Sequence, residues 1–318
     1  LQALNKLTPD VLYGTRMAMT GLAKSTTAPA IRFLNAQRGW SEAAGTRRVQ
    51  LWLDTDWTKI GAGASPVSGL DVDTQAVTFG LDVPLRSGVR IGVTGGYRKL
   101  DGQLAYAAPL AAEAWTVGGY AAIETKSGLY AQASGAWLGN ARFKDIGRAS
   151  VYDQQAIGTT KGDGWAASGE AGWRLPVGAF SVTPFVAIDY TDLRLNGYTE
   201  RGASVSNVTY PNRRFEQLTA SFGGEVGVQL GAIRPALRGG YSIENEIGDK
   251  TAAVRLTSAQ HAMGSTVLTL ADTERNSGFG EVRIAMRDGA LSGYVAGRGR
   301  WGRGEDDARV SIGLGYAF

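Results

Sequence analysis

From Arg47 to the last residue, apolar side chains recur at every second position, and that period restricts the chain to β-sheet. Val49, Leu51, Leu53 and Trp57 open the series, followed by Val77, Phe79, Leu81 and Val83, then by Val89, Ile91, Val93 and Tyr97. Further runs occupy 115–123, 129–137, 167–173, 180–190, 218–228, 233–243, 282–286, 291–301 and 310–318, twelve in all. In the last of them Val310, Ile312, Leu314, Tyr316 and Phe318 share one face, and Ser311, Gly313, Gly315 and Ala317 share the other. The chain stops on an aromatic, which suits a strand whose outer face meets lipid better than an edge strand of a soluble sheet.

Connections between runs alternate in length. Those at 84–88, 125–128, 176–178, 230–232 and 287–289 are tight turns, each with a glycine. Between them lie longer polar stretches, read as loops, at roughly 58–70, 102–112, 145–162, 192–214 and 246–275. Short turns on one rim and long loops on the other predict a transmembrane barrel. Trp57, Tyr97, Trp115, Trp137, Tyr190, Tyr241 and Trp301 fall near the long-loop ends of their strands. Trp173, Phe180, Tyr316 and Phe318 fall near the short-turn ends, so two interfacial aromatic girdles are expected. Asp54, Asp56, Glu170, Asp189, Glu225, Arg234, Arg238, Glu281, Arg283, Arg298 and Arg300 take the opposite parity. Such charges are costly in a dry core and ordinary in a wet lumen, so a polar lumen is expected.

Composition fits. The chain holds 45 glycines, 9 prolines and no cysteine, with a net charge of +4. No stretch of ~18 apolar residues offers a spanning helix, no Lys/Arg block points to nucleic acid, and zero Cys suits an oxidising route. The opening Leu1-Gln2-Ala3-Leu4-Asn5 lacks the basic start and apolar core of a signal peptide, so an exported form is expected to begin further upstream.

Residues 1–40 read differently. Thr8-Pro9-Asp10 is a helix start, and Val11, Leu12, Met17, Met19, Leu22 and Ala23 follow at helical spacing. Ala28-Pro29 is expected to break that helix, with a second short one through Ile31, Phe33 and Leu34. Arg16, Arg32 and Arg38 put positive charge along the segment.

The tail, with Ser311, Gly313, Tyr316 and Phe318 in a polar-x-Gly-x-x-aromatic-x-aromatic pattern, resembles the C-terminal assembly signal of bacterial outer-membrane barrels. A helical segment ahead of about twelve strands resembles the translocator domain of autotransporters, the type V secretion family. Leu4, Leu7, Thr8 and Asp10 match a segment that precedes many such domains, and the strand from Val182 to Tyr190 is similar to one common among them. The resemblance implies an all-β, transmembrane, antiparallel up-and-down barrel (41–318) threaded by a helical linker (1–40). It also implies a monomeric anchor in outer-membrane lipid that delivers its own upstream passenger to the cell surface, with the barrel assembly machinery and periplasmic chaperones as partners. Arg16, Arg32 and Arg38 are then expected to face acidic wall residues such as Asp54, Asp56, Glu170 and Glu225. The double-Asn cleavage site of some members has no counterpart, since Asn5, Asn35 and Asn140 precede Lys6, Ala36 and Ala141.

Two other readings compete: a passive pore for a small solute, and a barrel hydrolase. The sole histidine, His261, lies in a polar stretch near Ser258 and Ser265, too poor a set to assign a catalytic residue. No metal or cofactor site is expected, and Glu305, Asp306 and Asp307 read as solvated loop charge rather than calcium ligands.

Overall fold

Alternating residues of opposite character pair into a sheet that curls until its first strand meets its last. The computed structural model describes residues 10–40, 48–61, 71–86, 88–104, 108–150, 154–203, 206–249, 251–257, 262–269, 275–302 and 306–318. Its strands are β1 (Gln50–Gly61), β2 (Asp71–Arg86), β3 (Val89–Leu104), β4 (Ala108–Glu124), β5 (Leu129–Ala149) and β6 (Gln155–Trp173). They continue with β7 (Leu175–Val177), β8 (Phe180–Leu195), β9 (Tyr198–Thr199), β10 (Asn207–Tyr210), β11 (Arg213–Val228) and β12 (Ile233–Glu246). The last are β13 (Thr251–Thr257), β14 (Ala262–Thr269), β15 (Arg275–Asp288), β16 (Leu291–Gly302) and β17 (Asp306–Ala317). Twelve of these form a closed antiparallel barrel in the order β1-β2-β3-β4-β5-β6-β8-β11-β12-β15-β16-β17. Closure runs from Gln50 opposite Ala317 to Gly61 opposite Asp306. In lipid a strand edge would leave backbone groups unpaired, and closure removes it. Leu51, Phe79, Val117, Val186, Leu237 and Leu314 stand on the exposed outer face, as a lipid-facing band requires.

Gly88, Gly128, Gly178, Gly231 and Gly289, one in each short turn, all have positive φ, between 57° and 86°. The opposite rim departs from expectation. Stretches 102–112 and 145–162, read as loops, are hairpin: Leu104 pairs with Ala108, and Ala149 with Gln155. The stretches 192–214 and 246–275 supply a second, four-stranded sheet in the order β14-β13-β10-β9. The reason is a change of surroundings along each strand. Above the membrane the outside meets water, so Lys99, Asp101 and Gln103 point out while Leu100 and Leu104 are buried. Polarity then reads as loop although the strand continues. Of stretch 58–70, residues 62–70 lie outside those described.

The helix α1 (Asp10–Gln37) is continuous, so the expected break at Pro29 is corrected. Proline has no N–H to give the carbonyl four residues back, which is that of Ser25. Arg98 on β3, with 0% exposure, fills the gap: its Nη2 donates to Ser25 O at 2.7 Å and its Nε to Ser25 Oγ at 3.0 Å. The helix stops at Gly39, with φ of +81°. At about 1.5 Å per residue it is about 42 Å long. Gly14 lies against Leu104 at the long-hairpin rim, and Gly39 lies beside Arg174 and Arg234 at the short-turn rim.

Arg98→Ala should leave the Ser25 carbonyl unpaired in a buried site and destabilise helix docking by about 1–3 kcal/mol. Pro29→Ala restores an N–H for that carbonyl, so the double variant should lose less than Arg98→Ala alone does. Thermal unfolding with protease protection of α1 reads both effects; strictly additive losses would mean Arg98 is not the proline's complement.

Candidate functional site

The lumen is where helix and wall exchange specific contacts, and it has two zones. Towards the short-turn rim the contacts are ionic. Arg32 donates from Nη2 to Asp54 Oδ1 at 2.5 Å and to Asp56 Oδ2 at 2.6 Å, and from Nε to Asp54 Oδ2 at 3.2 Å. Both acids face inward because they stand two apart on β1. The Tyr294 hydroxyl also donates to Asp54. Arg38 stacks 3.3 Å above the Tyr130 ring, donates to Gln132 Oε1 at 2.9 Å and lies 3.5 Å from Glu170. Arg234 reaches the Arg38 carbonyl, and Thr27 and Ser168 share a hydrogen bond of 2.7 Å.

Arg16 faces a wall acid other than the four named, and Glu225 meets wall arginines. Arg16 sits near the far rim and meets Glu246 at 2.6 Å, an acid within a stretch read as loop. Glu225 braces the wall, with Arg283 at 2.6 Å and Arg234 at 3.4 Å. Sequence reasoning missed Lys24, which meets Glu244 at 2.7 Å, and Arg98. Inward parity on β3 together with a proline in the helix was the available signal for Arg98.

Towards the long-hairpin rim an apolar cluster joins the polar groups of the lumen. Val11, Leu12, Met19 and Leu22 of the helix pack among Leu104, Leu110, Leu138, Phe143 and Leu193 of the wall. Val208, Tyr210, Ala252 and Val254 of the small sheet belong to the same cluster. Part of this zone depends on a bulge in β5 between Leu138 and Ala141, where Asn140 takes a φ of 51°. The extra residue exchanges the faces, so Ala141 and Phe143 turn inward and Arg142 and Lys144 outward. Beside the small sheet, Arg148 grips Glu200 through Nε at 3.0 Å and Nη2 at 2.7 Å. Burial opposes the guanidinium charge there, but the Glu200 hydrogen bonds and charge more than offset it and raise its pKa.

On the outer face, Trp57, Trp115, Trp137, Tyr241 and Trp301 are exposed towards the long-hairpin ends, with Tyr97 and Tyr190 half-buried beside them. Trp173, Phe180, Tyr316 and Phe318 are exposed at the short-turn ends. Trp165, at 62% exposure, stands opposite Trp137 and was not singled out from sequence. In the tail, Tyr316 and Phe318 stack with ring centroids 6.4 Å apart, and Ser311 turns inward. Gly313 lies beneath the Tyr294 ring, where a Cβ would come within 2.1 Å of it. Ser258, His261 and Glu305 lie outside the described residues; Ser265 is on β14, and Asp307 pairs with Arg300 at 2.6 Å. Among the described residues no three His, Cys, Asp or Glu side chains cluster as metal ligands.

Comparison with known proteins fits this geometry. The chain is similar over 94% of its length to the translocator domain of autotransporter NalP from Neisseria meningitidis, covering 98% of that chain at 13% identity and a TM-score of 0.70. It is similar over 85% of its length to the β-domain of the Bordetella autotransporter BrkA, covering all of that chain at 17% identity and a TM-score of 0.65. At these identities the likeness is one of fold. In sequence it is 27% identical over 166 residues to the esterase EstA of Pseudomonas aeruginosa, a match spanning 51% of this chain and 25% of that protein. The chain thus spans about a quarter of the curated relative it matches. A model of the autotransporter β-domain family matches residues 51–298, and the chain belongs to that family of outer-membrane translocator barrels.

Proposed function

We propose that this barrel carries an upstream passenger to the cell surface and then holds it there, with α1 as the last length of chain left in the pore. The observation that carries this is the course of the helix. Closure of β1 on β17 puts both barrel termini at the short-turn rim, and α1 runs from that rim to the other, so its Asp10 end faces the long-hairpin side. Arg16, Arg32 and Arg38 hold the helix, together with Lys24 and Arg98. The girdle aromatics set the barrel's depth in outer-membrane lipid, and the barrel acts as a monomer. The tail Ser311, Gly313, Tyr316 and Phe318 addresses periplasmic chaperones and the assembly machinery. Any enzymatic activity belongs to the passenger, in keeping with a relative that is named an esterase and matches over only a quarter of its length.

An epitope placed ahead of Leu1, behind a signal peptide, should be lost to protease added outside intact Gram-negative cells while the barrel stays heat-modifiable. An epitope that survives until the outer membrane is permeabilised would sink delivery. Arg32→Ala strands two buried carboxylates, a loss of about 3–5 kcal/mol; in planar bilayers it should raise conductance, and adding Asp54→Asn and Asp56→Asn should recover part of the block. Unchanged conductance would mean Arg32 does not hold the plug. Removing Phe318 should lower the heat-modifiable fraction in the membrane without lowering synthesis, and an unaltered fraction would remove the tail's assembly role.

A further inference from the structure

Arg213 opens β11 with its side chain in the lumen, only 4% exposed. Its Nη2 donates to Thr15 Oγ1 of the helix at 2.9 Å, while Nε and Nη1 are buried without a partner among the described residues. Directly opposite stands Leu195. The surroundings are aromatic: Cζ lies 5.2 Å from the centre of the Phe215 ring and 5.9 Å from that of Tyr210. Tyr198 stacks on Tyr210 with centroids 4.8 Å apart, and its hydroxyl is likewise buried without a partner. Burial pushes the Tyr198 pKa up, so this group stays an O–H donor. The acids nearby are committed elsewhere. Glu200 holds Arg148 at 2.7 Å and accepts from the Tyr210 hydroxyl at 3.3 Å, and Glu246 holds Arg16 at 2.6 Å. Asp249 is exposed and accepts the Arg214 N–H at 3.1 Å, and Asp192 pairs with the Arg214 side chain at 2.7 Å on the outer face. Among the described residues each of the other buried arginines meets a carboxylate, except Arg98, which donates to four neutral oxygens.

A guanidinium keeps its proton, so its burial cannot be relieved by neutralising it. An isolated buried charge is costly, and a counter-ion with good hydrogen bonds removes most of that cost. We infer that a monovalent halide binds Arg213 through Nε and Nη1, with the Tyr198 hydroxyl as a further donor. One guanidinium supplies one positive charge, so a doubly charged anion there would be left half compensated. The rings of Tyr210 and Phe215 add no free donor to replace a hydration shell, which favours chloride and bromide over the more strongly hydrated fluoride and sulfate. Bound there, the ion joins β9 to β11 and, through the Arg213 bond to Thr15, joins both to α1. This end of the helix is thus fastened in part by an ion taken from the medium.

The test is urea unfolding of the full chain in neutral detergent at constant ionic strength, with potassium bromide, chloride, fluoride or sulfate replacing potassium gluconate. Bromide and chloride should stabilise the wild type along a saturating curve, raising the folding equilibrium constant about 10-fold at about ten times the half-saturating concentration. Fluoride and sulfate should give no saturating response; general salt action favours sulfate and so runs in the opposite order. Arg213→Gln should lose the saturating response and keep only the general one. Tyr198→Phe leaves the cation in place and should raise the half-saturating concentration about 10-fold. A purely structural role for Arg213 would lower the stability of Arg213→Gln and leave its halide response intact. Absence of a saturating response in the wild type, or its survival in Arg213→Gln, overturns the site. If Arg213→Gln does not fold, Tyr198→Phe decides, and an unchanged half-saturating concentration overturns the site. Equal saturation by sulfate overturns a halide as its occupant.

Discussion

Everything in this fold depends on the pairing of β1 with β17. A sheet in lipid cannot leave an edge, because its unpaired N–H and C=O groups would have no water to turn to. Twelve antiparallel strands satisfy that demand and place the first and last on the same rim. From there the position of the helix follows. Chain that enters β1 at the short-turn rim comes from α1, which crosses the lumen to the opposite rim. The tail contributes to closure at several levels. Its backbone pairs with β1, Gly313 leaves room for the Tyr294 ring, and Tyr294 in turn supports Asp54, which holds Arg32. A change at the last strand can therefore reach the helix through two intervening side chains.

Division of the lumen into an apolar and a charged zone gives the helix two kinds of attachment. Where Leu12, Met19 and Leu22 pack among Leu104, Leu138 and Phe143, the attachment is close apolar packing. Where Lys24, Arg32 and Arg38 face acids, the contacts are directional. The small sheet adds to the first zone only, through Val208, Tyr210, Ala252 and Val254. The long-hairpin side thus combines apolar packing with a covering sheet, and the opposite side is held by ions.

The barrel was legible in the sequence because lipid outside and water inside impose strict alternation, and five turn glycines mark the short rim. What escaped was each place where that rule changes. Above the membrane the polarity of the two faces reverses, so Leu100 and Leu104 point inward and the polar outer face of β3 was read as loop. Asn140 inserts one residue and exchanges the faces of β5, which no count of alternate positions anticipates. Pro29 was read as a break because local chemistry says so; its complement, Arg98, lies 69 positions further along the chain. Asp54, Asp56 and Glu170 were legible as inward acids, and two of the three helix arginines do meet them. Arg16 does not, because its acid is on a strand that the sequence shows only as a polar stretch.

Charge pairs inside the lumen add less stability than apolar packing of the same volume, since each ion must be stripped of water. Their advantage here lies in register. Sliding α1 by one turn, about 5.4 Å, would leave the Leu and Met side chains still among Leu and Phe, at modest loss. The same slide would strand Arg32 away from Asp54 and Asp56, pull Arg38 off Glu170 and Tyr130, and return the Ser25 carbonyl to an unpaired state. Each is a buried polar group without a partner, the costliest condition in a protein interior. Apolar packing therefore keeps the helix in the pore, while the buried ions decide how far along the pore it comes to rest.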